Sequence, residues 1–411
     1  MQGKKKFLWI LILGSLSAIG PLSTDMYLPA FPAIATDLST NTARVSLSLS
    51  SFFIGISFGQ LLYGPILDRF GRKKPIYFGL LIYILSSLGC AVSGSVDMLI
   101  GLRLLQAIGG CAGMVASRAM VRDLFPVEES ARIFSLLVLV IGVSPIIAPT
   151  LGGYISTGYG WHTVFIILAV IAALVLMALH FFLPESRKPN PEISLRPAAI
   201  LRSYASVLKV PQFYTYAFTG ALAGSGLYAY ISGSPFVFMQ YFNVSEKAYG
   251  LVFASIALGL IISSQLNSLL LRRFKSRQII RVALFCQTTI GLLLVTGTYL
   301  DLLGLEGTVI LIFLFLSSQG FTFPNSSALS LAPFTTNAGS ASALMGGIQM
   351  GIGALTSAAV SLFSNGTPMP MVIVMAGCAL LSFSTLLLGG RSIEKQSNHA
   401  QVEEEAVEFI P

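Results

Sequence analysis

The chain has 411 residues, of which 54% are hydrophobic and only 10% are charged. A soluble globular domain carries charge on about a quarter of its residues, so this composition excludes an ordinary water-soluble protein. The formal net charge is +8, but the basic residues are spread over alternate loops, which argues against a nucleic-acid partner and for contact with a lipid bilayer.

Long apolar runs predict twelve membrane helices, because a helix of about 20 apolar residues crosses a bilayer. The first run follows three lysines, as in a signal peptide. It is too long for one and has no clear small-residue cleavage site, so we expect a retained helix. The predicted spans are 7–33, 43–66, 75–95, 97–119, 130–155, 161–183, 213–241, 246–270, 279–299, 306–330, 338–363 and 368–390.

The distribution of Lys and Arg predicts the orientation of these spans. Of the 25 basic residues, 22 fall on the side of the N-terminus, namely in the two terminal segments and in alternate loops. Cytoplasmic loops hold an excess of positive charge. Both termini of a multi-pass protein in a bacterial inner membrane are therefore expected in the cytoplasm.

A polar interval rich in Pro, Arg and Lys separates the first six spans from the last six. A shift of about 204 residues brings Asp68-Arg69-Phe70 onto Arg272-Arg273-Phe274, a weak internal repeat. We therefore predict an all-α polytopic membrane fold with two pseudo-symmetric six-helix halves and a binding site near the midplane between them. The predicted segments are an N-terminal half (1–183), a cytoplasmic linker (184–211), a C-terminal half (212–391) and a disordered tail (392–411).

Two charged residues lie inside the apolar runs of the first half, Asp25 in PLSTDMYLPAFP and Arg103 in LIGLRLLQAIGG. A charge at mid-membrane costs about 2.5 to 3.5 kcal/mol, so each side chain should face a cavity or a partner. Both lie a few turns below the same surface, which makes an ion pair between them plausible. Two interpretations stay open: a structural pair that fixes helix packing, and a proton switch in which protonation of Asp25 alternates with substrate binding.

The segment GPILDRFGRKK places a dense charged turn between the second and third spans. Anchoring by positive charge alone requires neither Asp68 nor glycines that permit tight turns and close helix contact. We predict a gate at this hairpin, joined by charged residues of SRAMVRDL at the end of the fourth span. Its predicted members are Gly64, Asp68, Arg69, Gly71, Arg72, Arg118, Arg122 and Asp123.

The predicted fifth span, IGVSPIIAPTLGGYI, contains Gly142, Pro145, Pro149, Gly152 and Gly153. Proline bends a helix and glycine allows close approach, so a purely structural kink is one interpretation.

The second half has no clear acidic or basic residue in mid-helix, which favours a mainly apolar cavity wall for amphipathic substrates. The candidate cavity residues are Tyr27, Gln106, Tyr228, Tyr230, Gln265, Gln319, Asn325 and Gln349.

Taken together, STDMYLPAFPAIATDL, GQLLYGPILDRFGRKK, LRLLQAIGG, SRAMVRDLF and APTLGGYI resemble the bicyclomycin-resistance subfamily of multidrug exporters in the major facilitator superfamily. The resemblance implies proton-driven export of drugs or small amphipathic compounds by a monomer without a metal or organic cofactor. It implies that Asp25 is the protonation site with Arg103 as partner. It also implies that Asp68 and Arg72 contact the other half and hold the cytoplasmic side shut in the outward-open state. The fifth span resembles the exporter motif Gly-x-x-x-Gly-Pro-x-x-Gly-Gly, from which Ala148 departs.

Three other classes of protein fit the sequence less well. A symporter that imports a solute would share the fold, and the fifth-span motif is the main feature against it. A membrane enzyme would need a catalytic set, but His162, His180 and His399 are scattered and no H-E-x-x-H, G-x-S-x-G or P-loop segment occurs. The four cysteines have no spacing typical of a metal site or disulfide. A passive channel fits poorly with charged coupling candidates and a gating hairpin.

Overall fold

The computed structural model describes residues 2–334 and 338–408, and within them the chain forms only helices and turns. A short 3-10 helix, Leu28–Ala30, and a π-helical segment, Pro235–Tyr241, interrupt the α-helices. The α-helices are α1 (Gln2–Asp25), α2 (Phe31–Asp37), α3 (Thr42–Phe70), α4 (Lys73–Ala91), α5 (Val96–Leu124), α6 (Val127–Tyr159), α7 (Trp161–Phe182), α8 (Pro197–Leu208), α9 (Pro211–Ser234), α10 (Glu246–Leu270), α11 (Ser276–Tyr299), α12 (Leu305–Leu331), α13 (Ala338–Leu362) and α14 (Met369–Glu408).

Ten helical segments of the described chain are long and apolar enough to cross a membrane. The two remaining predicted spans, the fifth and the seventh, coincide with the long helices α6 and α9. The chain is therefore a multi-pass membrane protein, and all twelve predicted spans are helical.

The first span is broken near its C-terminal end. Here α1 ends at Asp25, and a 3-10 turn leads into α2. Pro29 and Pro32 cause the break, because neither can donate a backbone hydrogen bond to the residue four positions earlier, Asp25 and Leu28 respectively. The break leaves the Asp25 side chain at a helix end inside the bundle.

Two helical segments were not predicted from the sequence. The linker contains a helix, α8. The backbone of α14 continues as a helix to Glu408, where a disordered tail was predicted. The tail is rich in Glu, Gln and Ala, which have high helix propensity, and this composition explains the continued helix.

Because the number of spans is even, both termini and the linker lie at one end of the bundle, here named the terminal end. The opposite end is named the distal end. The two halves meet along two long seams, α3 against α13 and α6 against α10.

Polar side chains of α3 form hydrogen bonds with the C-terminal half, here named the α3 seam. Near the start of α3 the partners lie in α9 and the π-helical segment, and further along they lie in α13. These hydrogen bonds begin at the first residue of α3, at the distal end, and continue to its middle. Four residues of α3 take part, three of them serines spaced on one helical face. The pairs are Thr42–Gln240 at 3.2 Å, Ser46–Ser232 at 2.5 Å, Ser50–Ser357 at 2.8 Å and Ser57 with the Gly347 carbonyl at 2.8 Å.

Candidate functional site

Asp25 is a buried carboxyl group that faces the other half of the bundle. The residue is 4% exposed, and its carboxyl group forms no hydrogen bond or ion pair with a described residue. Its electrostatic neighbours are Tyr228 and Tyr230 on α9 and Tyr249 on α10. A carboxyl group from one half thus interacts electrostatically with phenol groups from the other half.

The tyrosines around Asp25 differ in their own hydrogen bonding. The Tyr249 hydroxyl pairs with the Ser234 hydroxyl at 2.7 Å. The Tyr230 hydroxyl is buried without a partner, while its ring stacks on Phe253 with 5.3 Å between ring centroids. The region next to Asp25 therefore contains one phenol group that is free to take a new hydrogen bond.

Arg103 lies in a separate, fully buried pocket of the N-terminal half. Its guanidinium group donates to Gln106 Oε1 at 2.5 Å and to the Ser23 carbonyl at 2.9 Å, and its Nε has no partner. The cation also lies over the rings of Phe52, at 4.2 Å, and Tyr27, at 4.5 Å. Ring faces attract a cation when water is excluded, so they take part of the role of a counter-ion.

The predicted ion pair between Asp25 and Arg103 is wrong for this structure. Arg103 binds the carbonyl of Ser23, which lies two residues before Asp25 on α1. Successive residues of an α-helix are about 100° apart, so residues two positions apart point in nearly opposite directions. Ser23 therefore lies on the side of Arg103, while the side chain of Asp25 faces the second half.

Two predicted cavity residues instead hold Arg103 in place. Gln106 is fully buried and donates to the Ser87 hydroxyl at 2.7 Å while accepting from Arg103. Tyr27 is also fully buried, and its hydroxyl bonds to Ser48. Neither side chain is open to a substrate in this arrangement, because both lie within the N-terminal half.

In the C-terminal half, several predicted cavity residues have uncharged amide side chains. Gln319 donates to the Gly224 carbonyl over a long 3.4 Å, and its Oε1 is buried without a partner. Asn325 donates to Asn267 Oδ1 at 2.6 Å. Gln349 lines a small cavity between α9, α12 and α13. Three of the predicted residues, Gln319, Asn325 and Gln349, therefore lie on facing helices of this half.

Tyr228 lies at the contact between the two halves, whereas Gln265 faces outward. The ring of Tyr228 packs edge-on against Phe53 of the other half at 4.8 Å, and its hydroxyl contacts Met350 Sδ at 3.5 Å. Gln265 is exposed, and its side chain forms no hydrogen bond with a described residue. Two positions further along α10, Asn267 is buried and paired, so the inward-facing polar residue of this helix is Asn267.

The charged hairpin at the terminal end is held by a chain of ion pairs. Arg72 binds Asp68 and Asp123, each at 2.8 Å, and Arg187 of the linker binds Asp68 at 3.2 Å. Burial lowers the pKa of the Arg72 guanidinium, but the hydrogen bonds and charges of Asp123 and Asp68 raise it and prevail. Arg72 is therefore a permanent cation at the centre of this network.

A carboxylate of the linker caps the start of α4. Glu185 accepts hydrogen bonds from the backbone N–H of Arg72 at 2.8 Å and of Lys73 at 3.0 Å. An anion at a helix N-terminus satisfies free N–H groups and complements the helix dipole. Sequence reasoning missed this residue, although an acidic residue directly after a membrane span in a basic linker was a readable signal.

The contact of Asp68 and Arg72 with the other half is predicted for the outward-open state. In this structure Arg72 pairs with Asp68 and with Asp123 of α5, and Asp68 also pairs with Arg187 of the linker. Neither Asp68 nor Arg72 forms an ion pair with a described residue of the C-terminal half. Asp123 joins the network, whereas Arg118 and Arg122 form no ion pair with a described residue. Arg118 and Arg122 are one turn apart on α5, and their side chains point about 140° and 100° away from the direction of Asp123. Arg69 donates to the Ile193 carbonyl at 2.8 Å.

The two hairpin glycines have unequal roles. Gly71 adopts a φ of +82°, and a Cβ there would lie 3.1 Å from the Arg187 carbonyl and 3.2 Å from Glu185 Oε2. A Cβ at Gly64 would meet nothing within 4 Å. The prediction of a tight turn is therefore confirmed for Gly71, while Gly64 is a helical position with open space beside it.

The glycine-rich part of α6 packs between the Asp25 region and the second half. A Cβ at Gly152 would collide with the Met26 carbonyl, and one at Gly153 would lie 2.9 Å from the Glu246 carbonyl. Gly142 is further along the seam, with Ile261 at 3.7 Å, and Pro145 and Pro149 lie inside the continuous helix. These glycines allow α6 to contact both the residue that follows Asp25 and the start of α10.

Comparisons with known proteins agree with this architecture. The family model described as Major Facilitator Superfamily matches residues 13–358. An uncharacterized MFS-type transporter of Bacillus subtilis, YdgK, is 34% identical over 382 residues, which span 92% of this chain and 94% of the relative. A bicyclomycin resistance protein homolog of Haemophilus influenzae is 32% identical over 381 residues, which span 93% and 96% respectively.

Among solved structures, a D-xylose-proton symporter superposes with a TM-score of 0.71 over 92% of this chain and 97% of that chain. The two sequences are only 15% identical, so this likeness concerns the fold alone. The relatives match almost the whole chain, and the solved structure shares its helical arrangement.

Proposed function

Because the chain belongs to the Major Facilitator Superfamily, we propose that it exports drugs or other small amphipathic compounds in exchange for protons by alternating access. The names of two relatives support this substrate class: the bicyclomycin resistance homolog and multidrug resistance protein D of Escherichia coli. The observation that carries the proposal is the isolated carboxyl group of Asp25, placed between the halves.

Asp25 has the properties required of a coupling residue. A charged carboxylate without a counter-ion in apolar surroundings is costly, so the group must bind a proton, a cationic group or a hydrogen-bond donor. Its electrostatic neighbours in the other half are phenols, which donate hydrogen bonds but carry no charge at neutral pH. Proton release is then favoured when the halves move apart and water or substrate reaches the group.

Arg103 has a supporting role in this proposal. Its charge is buried near the same helix but is directed away from Asp25 and is held by Gln106 and two aromatic rings. The Nε has no partner, so the guanidinium group has capacity for one more acceptor. A rotation of the end of α1 would present the Asp25 carboxylate as that acceptor in the other state of the cycle.

The orientation follows from the charge distribution. The terminal end carries 22 of the 25 Lys and Arg residues and is assigned to the cytoplasm, so the distal end faces outward across a bacterial inner membrane. The serine pairs of the α3 seam then lie on the outer side. They hold the two halves together there in a monomeric carrier that is closed to the outside.

The test is substrate-triggered proton movement in proteoliposomes with an imposed pH gradient. The native chain, Asp25→Asn and Asp25→Glu are compared as lipophilic cations and neutral antibiotics are added. We expect the native chain to dissipate the gradient with a sign that identifies antiport, the glutamate variant to retain part of this activity, and the asparagine variant to have none.

Other outcomes would contradict the proposal in distinct ways. Full activity in Asp25→Asn would remove the coupling role from this residue but leave a transporter. Proton movement in the same direction as the substrate would replace export by uptake through a symporter. Substrate movement without any response to the pH gradient would contradict proton coupling altogether.

A further inference from the structure

The linker helix α8 has two separate apolar stripes, and only one of them is used inside the protein. Ile200, Tyr204 and Val207 pack against the bundle, in a cluster with residues of α9 and α13. Leu201 is 65% exposed and Leu208 is 40% exposed. Neither leucine belongs to a membrane-spanning helix, so their exposure is not explained by contact with the bilayer core.

The exposed residues form a continuous stripe along the helix. With about 100° between successive residues, Ala198, Leu201, Ala205 and Leu208 fall within one sector of roughly 80°. This sector adjoins the stripe that packs against the bundle. The helix therefore presents a second apolar surface beside the one that packs against the bundle.

Basic residues border the exposed stripe. On the same projection Arg202 and Lys209 lie along its far edge, about two turns apart, and both are exposed. Neither forms an ion pair with a carboxylate whose side chain the structure describes. A helix with an apolar face and basic residues at its edge is suited to the headgroup region of a bilayer, where long basic side chains reach the headgroups.

The same helix connects the two halves. Tyr204 Oη donates to the Leu61 carbonyl of α3 at 2.7 Å, and Ser203 Oγ pairs with Ser340 Oγ of α13 at 3.0 Å. Burial raises the pKa of the Tyr204 hydroxyl, so it remains a donor at neutral pH. A ligand that fixes the position of α8 would therefore also affect the contact between α3 and α13.

We propose that α8 is a binding site for anionic phospholipid of the cytoplasmic leaflet, with acyl chains against the exposed stripe and the lipid phosphate between Arg202 and Lys209. Charge complementarity favours an anionic lipid over a neutral one, because each basic residue near an anionic surface strengthens binding about fivefold. The bound lipid supports the contacts of α8 with α3 and α13.

The test uses the full chain with a fluorophore on α8. The exposed Cys286 is replaced by serine, and Ala205→Cys is labelled with an environment-sensitive dye. Emission is measured in nanodiscs of phosphatidylcholine with increasing phosphatidylglycerol. We expect a blue shift that rises with the anionic fraction, and none for a label at Ala199→Cys on the water-facing side.

Charge variants make the test specific. The double variant Arg202→Gln/Lys209→Gln should require roughly 25-fold more anionic lipid for the same shift. Arg272→Gln/Arg273→Gln, which removes two exposed charges from another loop of the same end, should behave as the native chain.

The proposal is overturned if emission is the same in both lipids, or if both double variants lose the shift equally. It is also overturned if inorganic phosphate or glycerol phosphate, added to the detergent-solubilised chain, produces the shift, since the site would then bind soluble anions. Because emission does not depend on transport, failure of the export proposal leaves this result unaffected.

Discussion

The two halves of the bundle have matching helix orders but bury different kinds of polar group. In the N-terminal half the buried polar residues include three ionisable side chains, Asp25, Arg72 and Arg103. In the described C-terminal half the buried polar residues are all uncharged serines, threonines, asparagines and glutamines. The difference indicates that the first half carries the charge chemistry, while the second supplies neutral hydrogen-bonding groups.

The equivalent hairpins show the same contrast. In the first, Asp68, Arg72 and Asp123 form ion pairs that the linker completes through Arg187. In the second, Arg272 and Arg273 are exposed and form no ion pair with a described residue. A duplicated fold has therefore kept its helices while only one copy carries the charged network.

The largest expected effect is at Arg103. The change Arg103→Met should reduce transport to the level of empty vesicles if this cation serves the transport cycle. The free energy of unfolding should change by only about 2 kcal/mol, because loss of the bonds to Gln106 and the Ser23 carbonyl is offset by relief of a buried charge. Transport assays and thermal unfolding in detergent check the two parts.

A structural role for Arg103 would reverse this pattern. Stability and transport would then fall together, and the contrast between a charged functional half and a neutral half would be lost. The neutral counterpart Gln319→Leu provides the comparison, since it removes an uncharged buried amide from the second half and should lower transport only a few-fold.

The next effect concerns the seam beside Asp25. Gly152→Leu should lower transport about tenfold or more, because the new side chain displaces the Met26 carbonyl and with it the end of α1. Gly158→Leu is the matched control on the same helix, since a Cβ there meets nothing within 4 Å. Equal activity of the two variants would show that close packing of α6 on α1 is not required.

A smaller effect is expected at the hairpin. Gly71→Ala should lower the free energy of unfolding by about 1 to 2 kcal/mol, since alanine is strained at positive φ. Gly64→Ala should leave it unchanged or raise it by up to about 1 kcal/mol, because alanine favours a helix. Thermal denaturation of both variants measures the difference, and a similar loss in both would contradict the open surroundings of Gly64.

The smallest effects are at two tyrosines and should have opposite signs. Tyr230→Phe removes a buried hydroxyl without a partner and should raise stability by about 1 kcal/mol. Tyr249→Phe breaks the bond to Ser234 and should lower stability by about 1 kcal/mol. If Tyr230→Phe is destabilising, the hydroxyl has a partner in the native bilayer and is not free to bind Asp25.

Much of the fold could be predicted from local patterns. Span positions follow from runs of apolar residues, because each depends on composition over about 20 residues. The proposed orientation rests on Lys and Arg counts. The burial of Asp25 and Arg103 away from lipid could also be predicted, since charge inside an apolar run is costly wherever it points. These properties belong to single segments and require no knowledge of packing.

Partners could not be predicted in the same way. Arg103 was paired with Asp25 because both lie at similar depth, but depth does not fix direction around a helix. Tyr27 and Gln106 were assigned to a cavity for their polarity, yet they hold the guanidinium group inside the half. Glu185 was overlooked because its role depends on where α7 ends beside α4.

The sequence by itself determined that the chain crosses a membrane many times and which end carries the positive charge. It also identified the few charged side chains that lie inside apolar segments, where burying a charge costs free energy. Only the tertiary structure decided that Asp25 faces the tyrosines of the other half, that Arg103 lies among aromatic rings, and that α8 leaves an apolar stripe uncovered. The physical reason is that hydropathy adds up along the chain, whereas a hydrogen bond or ring contact depends on the rotation and meeting of helices that are distant in sequence.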